Sequence, residues 1–391
     1  MSKKILFIFA ANQYNVLNEM LWRAADYLEQ SCGYFVGRYH LDDYEKVCQL
    51  DWDVICSSQA TEFSKCKEAD GRLHITWMTD HPHYLLPRML HYKQMEKVCI
   101  ACVDRKHMEF LKRYYGISHT IFTPHFAWKA GKSIPFNERK YEVFFPASAV
   151  SWEQDVACRY SGLEGALRVI TERVISFLLE NVAYSMEEGM EAVLREYGED
   201  EEVLSLSREC MEAVGEYMDS YLRIHVRNKV IRALLAAGIT VTVCGRNWSR
   251  FPQTENEKKY LYILGEEMPY TDVINVMADS KIVLNVMPWF KDGSHERVAM
   301  GSMNGAVCVT DSSIYLKENW GENQAVFYDW KNTEMLVEQV KEILVDSEKA
   351  EKIAENGERV AKEKASVKVF AEQIKSVIES DIESDIESKV Q

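Results

Sequence analysis

The chain has 391 residues, 47% of them apolar, which is too long for one ordinary core and enough for two domains of about 150–200 residues each. Its 46 Lys and Arg stand against 61 Asp and Glu, a formal net charge of −15. That balance argues against nucleic acid as a main partner, because neutralising a phosphate backbone needs clustered cations; a single nucleotide needs only one or two local ones.

The N-terminal MSKKILFIFAA offers a charged and then apolar start without a cleavage region, so it reads as a first buried strand over residues 4–10. No apolar run approaches the ~18 residues of a membrane span. The loop over 11–15 has no G-x-G-x-x-G, so a classical NAD site is not expected there. Leu17, Met20, Leu21, Ala24 and Leu28 then share one helical face. Further strands are expected over 34–39, 53–57, 73–78, 98–103 and 121–123, with helical stretches near 42–50 and before Tyr115. Strand alternating with helix argues for a parallel, doubly wound α/β sheet. Two histidine-bearing segments follow strands: Thr79-Asp80-His81-Pro82-His83-Tyr84 and Pro124-His125-Phe126. Both therefore fall on the carboxyl edge of the sheet, where His81 and His125 could serve as acid, base or hydrogen-bonding groups. The plainer reading of each is a satisfied structural histidine.

Ten cysteines are scattered, several inside strand-like runs (Cys56, Cys99, Cys102, Cys244, Cys308). This is an inventory of reduced thiols rather than a disulfide framework, and it points to the cytoplasm. Cys99 and Cys102 sit at odd spacing in VCIACV, on opposite faces of a strand, which is poor for joint metal ligation.

Residues 129–140 are polar, with Gly131, Lys132, Ser133 and Pro135, and read as an interdomain linker. The first domain is accordingly drawn over 1–135 and the second over 136–365. Residues 141–146 restart the strand pattern, followed by a loop over 147–153. Residues 162–222 are helix-like throughout, without proline, and carry 15 acidic residues against 4 basic ones. They read as a helical insertion whose acidic face is either solvated or a docking surface for a homo-oligomer. A helix over 223–237 leads to a strand over 239–244, then Gly245-Arg246-Asn247-Trp248, a short strand over 261–264 and an amphipathic helix over 270–278.

Residues 282–311 read as one βαβ unit: a strand over 282–287, a loop, Ser294 as N-cap, a short helix from His295 to about Asn304, Gly305, and a strand over 306–310. At such a helix start, free N–H groups and the helix dipole favour an anion. Its first turn holds His295, Glu296 and Arg297: a donor, a carboxylate and a fixed cation. On spacing alone it could equally be an exposed polar helix start. A strand over 325–328 and helices over 334–344, 347–364 and 367–378 follow, and SDIESDIES at 380–388 reads as a frayed helix end or a mobile tail.

The segments Gly245-Arg246-Asn247-Trp248 and GSHERVAMGSMNGAVCVTD, in that order and spacing, resemble the group 1 glycosyltransferases, in the CgeB-like, spore-maturation-type branch. The resemblance is best over about residues 220–330; the DHPHY and CVDRKH segments resemble the companion domain more weakly. It implies a GT-B fold, with two Rossmann-like domains facing across a cleft and here a helical insertion in the C-terminal one. A nucleotide-sugar donor would bind mainly to the C-terminal domain and the acceptor to the N-terminal one. The last segment, 366–391, would cross back to the first domain. Carried over residue by residue, Gly245 lets the backbone approach the donor, Arg246 neutralises its pyrophosphate and Asn247 joins them. Gly293 and Ser294 form the phosphate loop, and His295, Glu296 and Arg297 fall at the family's H-x-R/H-E-R start. Retaining members often carry two carboxylates eight residues apart, the second five residues before the helix-ending glycine and bound to ribose. Counted back from Gly305, those positions are Asp292 and Met300. Met300 cannot accept a hydrogen bond from ribose, and Glu296 is the nearest substitute.

The expected activity is transfer of a sugar from a nucleotide diphosphate-sugar to an acceptor hydroxyl on a protein or glycan. Because the leaving group is anionic, the chemistry chiefly needs charge stabilisation. Arg297, Arg246 and helix N–H groups can supply it, so no metal ion or other cofactor is expected. Asp80, His81 and His125 are the catalytic candidates, handling the acceptor. Two other readings share the frame: a non-catalytic nucleotide- or glycan-binding scaffold, and a sugar-nucleotide epimerase that needs no acceptor.

Overall fold

The computed structural model describes residues 3–10, 16–63, 65–66, 71–149, 162–251 and 254–390. The loop expected over 11–15 and residues 150–153 of the loop after residue 146 lie outside them. The chain divides into two compact units, Met1–Ala127 with Glu363–Gln391, and Trp128–Lys362.

The first unit is built on six parallel strands: β1 (Lys4–Phe9), β2 (Phe35–His40), β3 (Val54–Ser58), β4 (Leu73–Met78), β5 (Val98–Cys102) and β6 (Thr120–Phe122). They lie in the order β2-β1-β3-β4-β5-β6. Strands β3, β4 and β5 are buried at every position, as expected of a parallel sheet covered on both faces. Helix α1 (Val16–Cys32) lays Met20, Leu21, Ala24, Ala25 and Leu28 against the sheet. Helix α2 (Arg105–Tyr115) is capped by the Asp104 carboxylate, which accepts the Lys106 N–H at 2.7 Å, and is closed by a left-handed Gly116. The C-terminal helix Val367–Val390 belongs to this unit. Its Phe370 packs 4.9 Å from Trp77 and 4.8 Å from Phe126, and Ala127 N–H donates to Ala365 O at 2.7 Å. The SDIE repeat continues this helix.

The second unit holds β7 (Tyr141–Pro146), β8 (Val241–Cys244), β9 (Leu261–Gly265), β10 (Ser280–Asn285), β11 (Val307–Asp311) and β12 (Val326–Tyr328). All pair in parallel, in the order β12-β11-β10-β7-β8-β9. Numbered from β7, this is the 3-2-1-4-5-6 order of the dinucleotide-binding sheet, and it reverses between β7 and β10. The helical insertion comprises α3 (Gly165–Glu180), α4 (Met186–Leu194) and α5 (Asp200–Ala236). The break expected at 222/223 does not exist, and α5 runs unbroken for 37 residues. No Gly or Pro interrupts it there, and buried residues continue every fourth position through Val214, Met218, Leu222, Val226, Val230 and Leu234.

The segment 129–140, read as a linker, is tied to the second unit. Asn304 Oδ1 accepts from Ala130 N–H at 2.6 Å, and its Nδ2 donates to Trp128 O at 3.0 Å. Arg139 Nη1 donates to Gly305 O at 2.6 Å and to Ser280 O at 3.0 Å. These bonds explain why the division falls between Ala127 and Trp128 rather than at 135/136.

Candidate active site

Helix α6 (Tyr270–Ala278) leads into β10, and α7 (Glu296–Met303) follows it. The N-cap of α7 is His295, not Ser294. The His295 backbone is extended and its Nδ1 accepts the Arg297 N–H at 3.5 Å. The Ser294 hydroxyl instead donates to His295 O at 3.1 Å, so it does not cap. Gly301 sets how closely α7 sits on the sheet: a Cβ there would lie 2.8 Å from Val283 Cβ and 3.0 Å from Cys308 Sγ. Gly305, at φ +74°, ends the turn beyond the helix.

This seating brings Arg297 to the point where the sheet order reverses. Its side chain is buried, with the residue 3% exposed. Nε donates to Asn285 Oδ1 at 3.0 Å at the end of β10, and Nη1 to Pro146 O at 3.4 Å at the end of β7. Nη2 is buried without a hydrogen-bond partner among the described residues. The guanidinium carbon lies 5.5 Å from the Phe145 ring centroid. Asn285 is held in turn by bonds from its Nδ2 to Thr310 Oγ1 at 3.0 Å and Asp311 Oδ1 at 3.2 Å. The Asp311 carboxylate also accepts the Met287 N–H at 3.0 Å. Burial pushes the Asp311 carboxyl up to about 6, with Lys291, the Met287 N–H and Arg297 opposing the rise.

A second buried arginine comes from α5. Arg227 donates from Nη1 to Ser148 O at 3.1 Å, its guanidinium carbon is 5.6 Å from the Phe145 ring centroid, and its Nε is buried without a partner among the described residues. Burial, then repulsion from Arg297 and Arg223, pulls its pKa well below the ordinary arginine value. Arg223, one turn earlier, is held by the buried Asp219 carboxylate. Two buried guanidiniums with unmet N–H groups are costly alone, and an anion offsets that cost. Neither Arg223 nor Arg227 was singled out from sequence. The only signal was their four-residue spacing, which puts both on one helical face. Tyr270 adds a buried hydroxyl without a hydrogen-bond partner among the described residues; burial and then Glu296 raise its pKa, while Arg297 opposes the rise. Beside Asp311 lies a cavity of about 240 Å³, bordered by Pro288, Lys291, Lys317, Tyr328 and Trp330.

The other residues singled out from sequence are spread over both units. Gly245, at φ +133°, is required because a Cβ would lie 2.6 Å from Ser148 N and 2.7 Å from Ala147 C. It brings the end of β8 against the loop after β7. The Arg246 guanidinium is exposed and paired with Glu267 at 2.7 Å, while its N–H donates to Ser148 Oγ at 3.1 Å. Asn247 is left-handed and donates to Ala149 O at 3.3 Å. Asp292 is half-buried. Gly293 and Ser294 are buried, and Gly293 O accepts the Ser313 hydroxyl at 2.6 Å. His295 and Glu296 pair with each other, and Met300 is fully buried.

His81, His125 and Asp80 lie in the first unit. His81 caps a short turn, Pro82–Leu85, with its Nδ1 2.6 Å from His83 Nδ1 and its ring 4.8 Å from that of His107. His125 is buried, its ring 5.4 Å from that of Trp77. The Asp80 carboxylate accepts from Gln59 Nε2 at 2.5 Å. Burial, with His81, His83 and His125 adding to it, pulls the His107 pKa well below the ordinary value. His83 and His107 had not been singled out.

Residues 226–376 match a family model described as "Glycosyl transferase-like". No curated protein sequence matches the chain. Sucrose-phosphate synthase from Thermosynechococcus elongatus superposes with a TM-score of 0.56 and 9% identity, over 98% of this chain and 100% of that one. An α-glucosyltransferase in complex with UDP-glucose and DNA containing an abasic site does so with 0.57 and 9%, over 97% and 100%. Anabaena HepE in complex with UDP and glucose gives 0.52 and 11%, over 97% and 100%. Residues 226–376 thus carry a glycosyltransferase-like segment, within a chain whose fold along almost its whole length is that of the GT-B structures.

Proposed function

We propose that the protein moves a sugar from a nucleotide diphosphate-sugar to an acceptor hydroxyl, with the diphosphate seated against Arg297, Arg227 and Arg223. One observation carries the reading: among the described residues, Arg297 Nη2 and Arg227 Nε are buried without hydrogen-bond partners near the carboxyl ends of β7 and β10. An anionic ligand would meet both. As the sugar–oxygen bond breaks, negative charge grows on the departing phosphoryl oxygen. Fixed guanidiniums in a water-poor site stabilise it without moving a proton, and the N-terminus of α7 adds its free N–H groups. The cavity beside Asp311 suits the nucleoside. The arginines supply the positive charge, so transfer is expected to continue in the presence of a chelator.

UDP-sugars are the first donors to try, because the similar α-glucosyltransferase and HepE structures are complexes with UDP-glucose and with UDP and glucose. One of those proteins is bound to DNA. The net charge of −15 here favours a protein or glycan acceptor instead. Acceptor handling is assigned to His81 and His125, with Asp80. The GSHERVAMGS segment supports the CgeB-like branch, and the described cysteines, which form no disulfide with one another, support a cytoplasmic location. Among the described residues no helix is long and apolar enough to cross a membrane.

The test follows UDP release from UDP-sugars with protein and glycan acceptors. Arg297→Ala is expected to lose roughly 100-fold or more in turnover. Unchanged turnover in that variant overturns the assignment. Conversion of donor without acceptor favours an epimerase, and binding without turnover a scaffold.

A further inference from the structure

In the first unit, three unlike side chains outside the histidine group meet between β3 and β4. Glu62, just after β3, and His74, in β4, are both 0% exposed. Glu62 Oε1 accepts the Tyr92 hydroxyl at 2.5 Å and lies 3.7 Å from His74 Nδ1. Cys66 Sγ lies 3.8 Å from that same nitrogen. The carboxylate oxygen, thiol sulfur and ring nitrogen all fall within 4.8 Å of one another. The second carboxylate oxygen, Oε2, is buried with no hydrogen-bond partner among the described residues.

We propose that Glu62, Cys66 and His74 bind a divalent transition-metal ion of the zinc class. This site is independent of the donor reading and lies in the other unit. With metal–sulfur bonds of about 2.3 Å and metal–nitrogen or –oxygen bonds of about 2.0 Å, tetrahedral ligand atoms stand roughly 3.3–3.6 Å apart. The separations of 3.7 and 3.8 Å exceed that by a few tenths of an ångström. The Tyr44 hydroxyl, 3.1 Å from Cys66 Sγ, stands beside the thiol as a further oxygen donor. Thiolate and imidazole select zinc-like ions over magnesium or calcium. Charge balances as well: the thiol gives up its proton to solvent as the sulfur–metal bond forms, and thiolate plus carboxylate neutralise the dication. The bound ion gives the buried carboxylate the counter-charge that burial otherwise withholds. It would also pin the segment after β3 to β4.

The experiment loads chelator-stripped, full-length protein with Zn²⁺, desalts it and measures zinc by elemental analysis. One zinc per chain and a higher unfolding temperature are expected. Co²⁺ in place of zinc should give a thiolate-to-cobalt charge-transfer band in the near ultraviolet. Cys66→Ser should lose that band and the bound zinc, while Cys32→Ser keeps both. Wild-type protein that retains no zinc and shows no thiolate band with cobalt overturns the proposal, as does a band that survives in Cys66→Ser. If Cys66→Ser fails to fold, the wild-type cobalt spectrum decides, with Glu62→Gln and His74→Gln as narrower changes.

Discussion

Asp311 is a residue whose charge is poised close to neutral pH. Its carboxyl, raised by burial from 3.8 to about 6, is protonated in the folded chain at pH values where an unfolded one is ionised. The folded state therefore holds the extra proton. Below 3.8 there is no penalty; between 3.8 and about 6 the penalty grows as pH rises, and above that it is complete. Donor binding should follow the same group. An ionised Asp311 opposes an incoming diphosphate, so UDP-glucose affinity should rise several-fold from pH 7.5 to 5.5, by calorimetry. Asp311→Asn should abolish that dependence. Arg227 makes the converse case. Arg227→Met relieves a buried like-charge neighbour and an unmet N–H, so its unfolding temperature should be unchanged or higher. Its affinity for UDP-glucose should fall about tenfold or more, because a charge-assisted contact is lost. These roles were not legible in the sequence. Two arginines four apart on a helix ordinarily read as a solvated face, and what buries Arg227 is Phe145 and Ser148, far away in the chain.

Among the elements, α7 depends on close approach. Gly301→Val would place a branched side chain where even a Cβ lies 2.8 Å from Val283. Overpacking of this kind costs about 1–3 kcal/mol, readable by urea denaturation, and moving α7 should weaken donor binding in parallel. Wild-type stability with wild-type affinity would show that the contact is slack. The strands were legible because most of them are short, largely apolar runs between breakers; each of the twelve expected strands is present within a residue or two. Helix limits were harder to read. The end of the insertion carries no punctuation inside α5, and the choice between Ser294 and His295 as cap turned on where one hydroxyl pointed. Segment 129–140 misled because polarity suggests a linker, whereas Arg139 and Asn304 use backbone carbonyls and N–H groups that composition does not display.

At the scale of the whole molecule, the C-terminal helix completes the first unit through Phe370, which is buried against Trp77 and Phe126. Phe370→Ala should cost roughly 3–5 kcal/mol, measured by thermal or chemical unfolding. A loss well under 1 kcal/mol would mean that the helix docks without contributing to that core. UDP-glucose should protect the second unit by mass action, whichever variant of the first unit is used.

Because residues 367–390 supply the closing piece of a body whose strands begin at residue 4, those strands emerge from the ribosome well before the helix that covers Trp77 and Phe126. During translation, β1–β6 would wait with the Trp77 and Phe126 surface uncovered while some 235 intervening residues of the second unit emerge and form their own sheet. Holding factors and proteases should therefore meet the amino-terminal half in nascent chains, and release from them should coincide with the exit of the final helix.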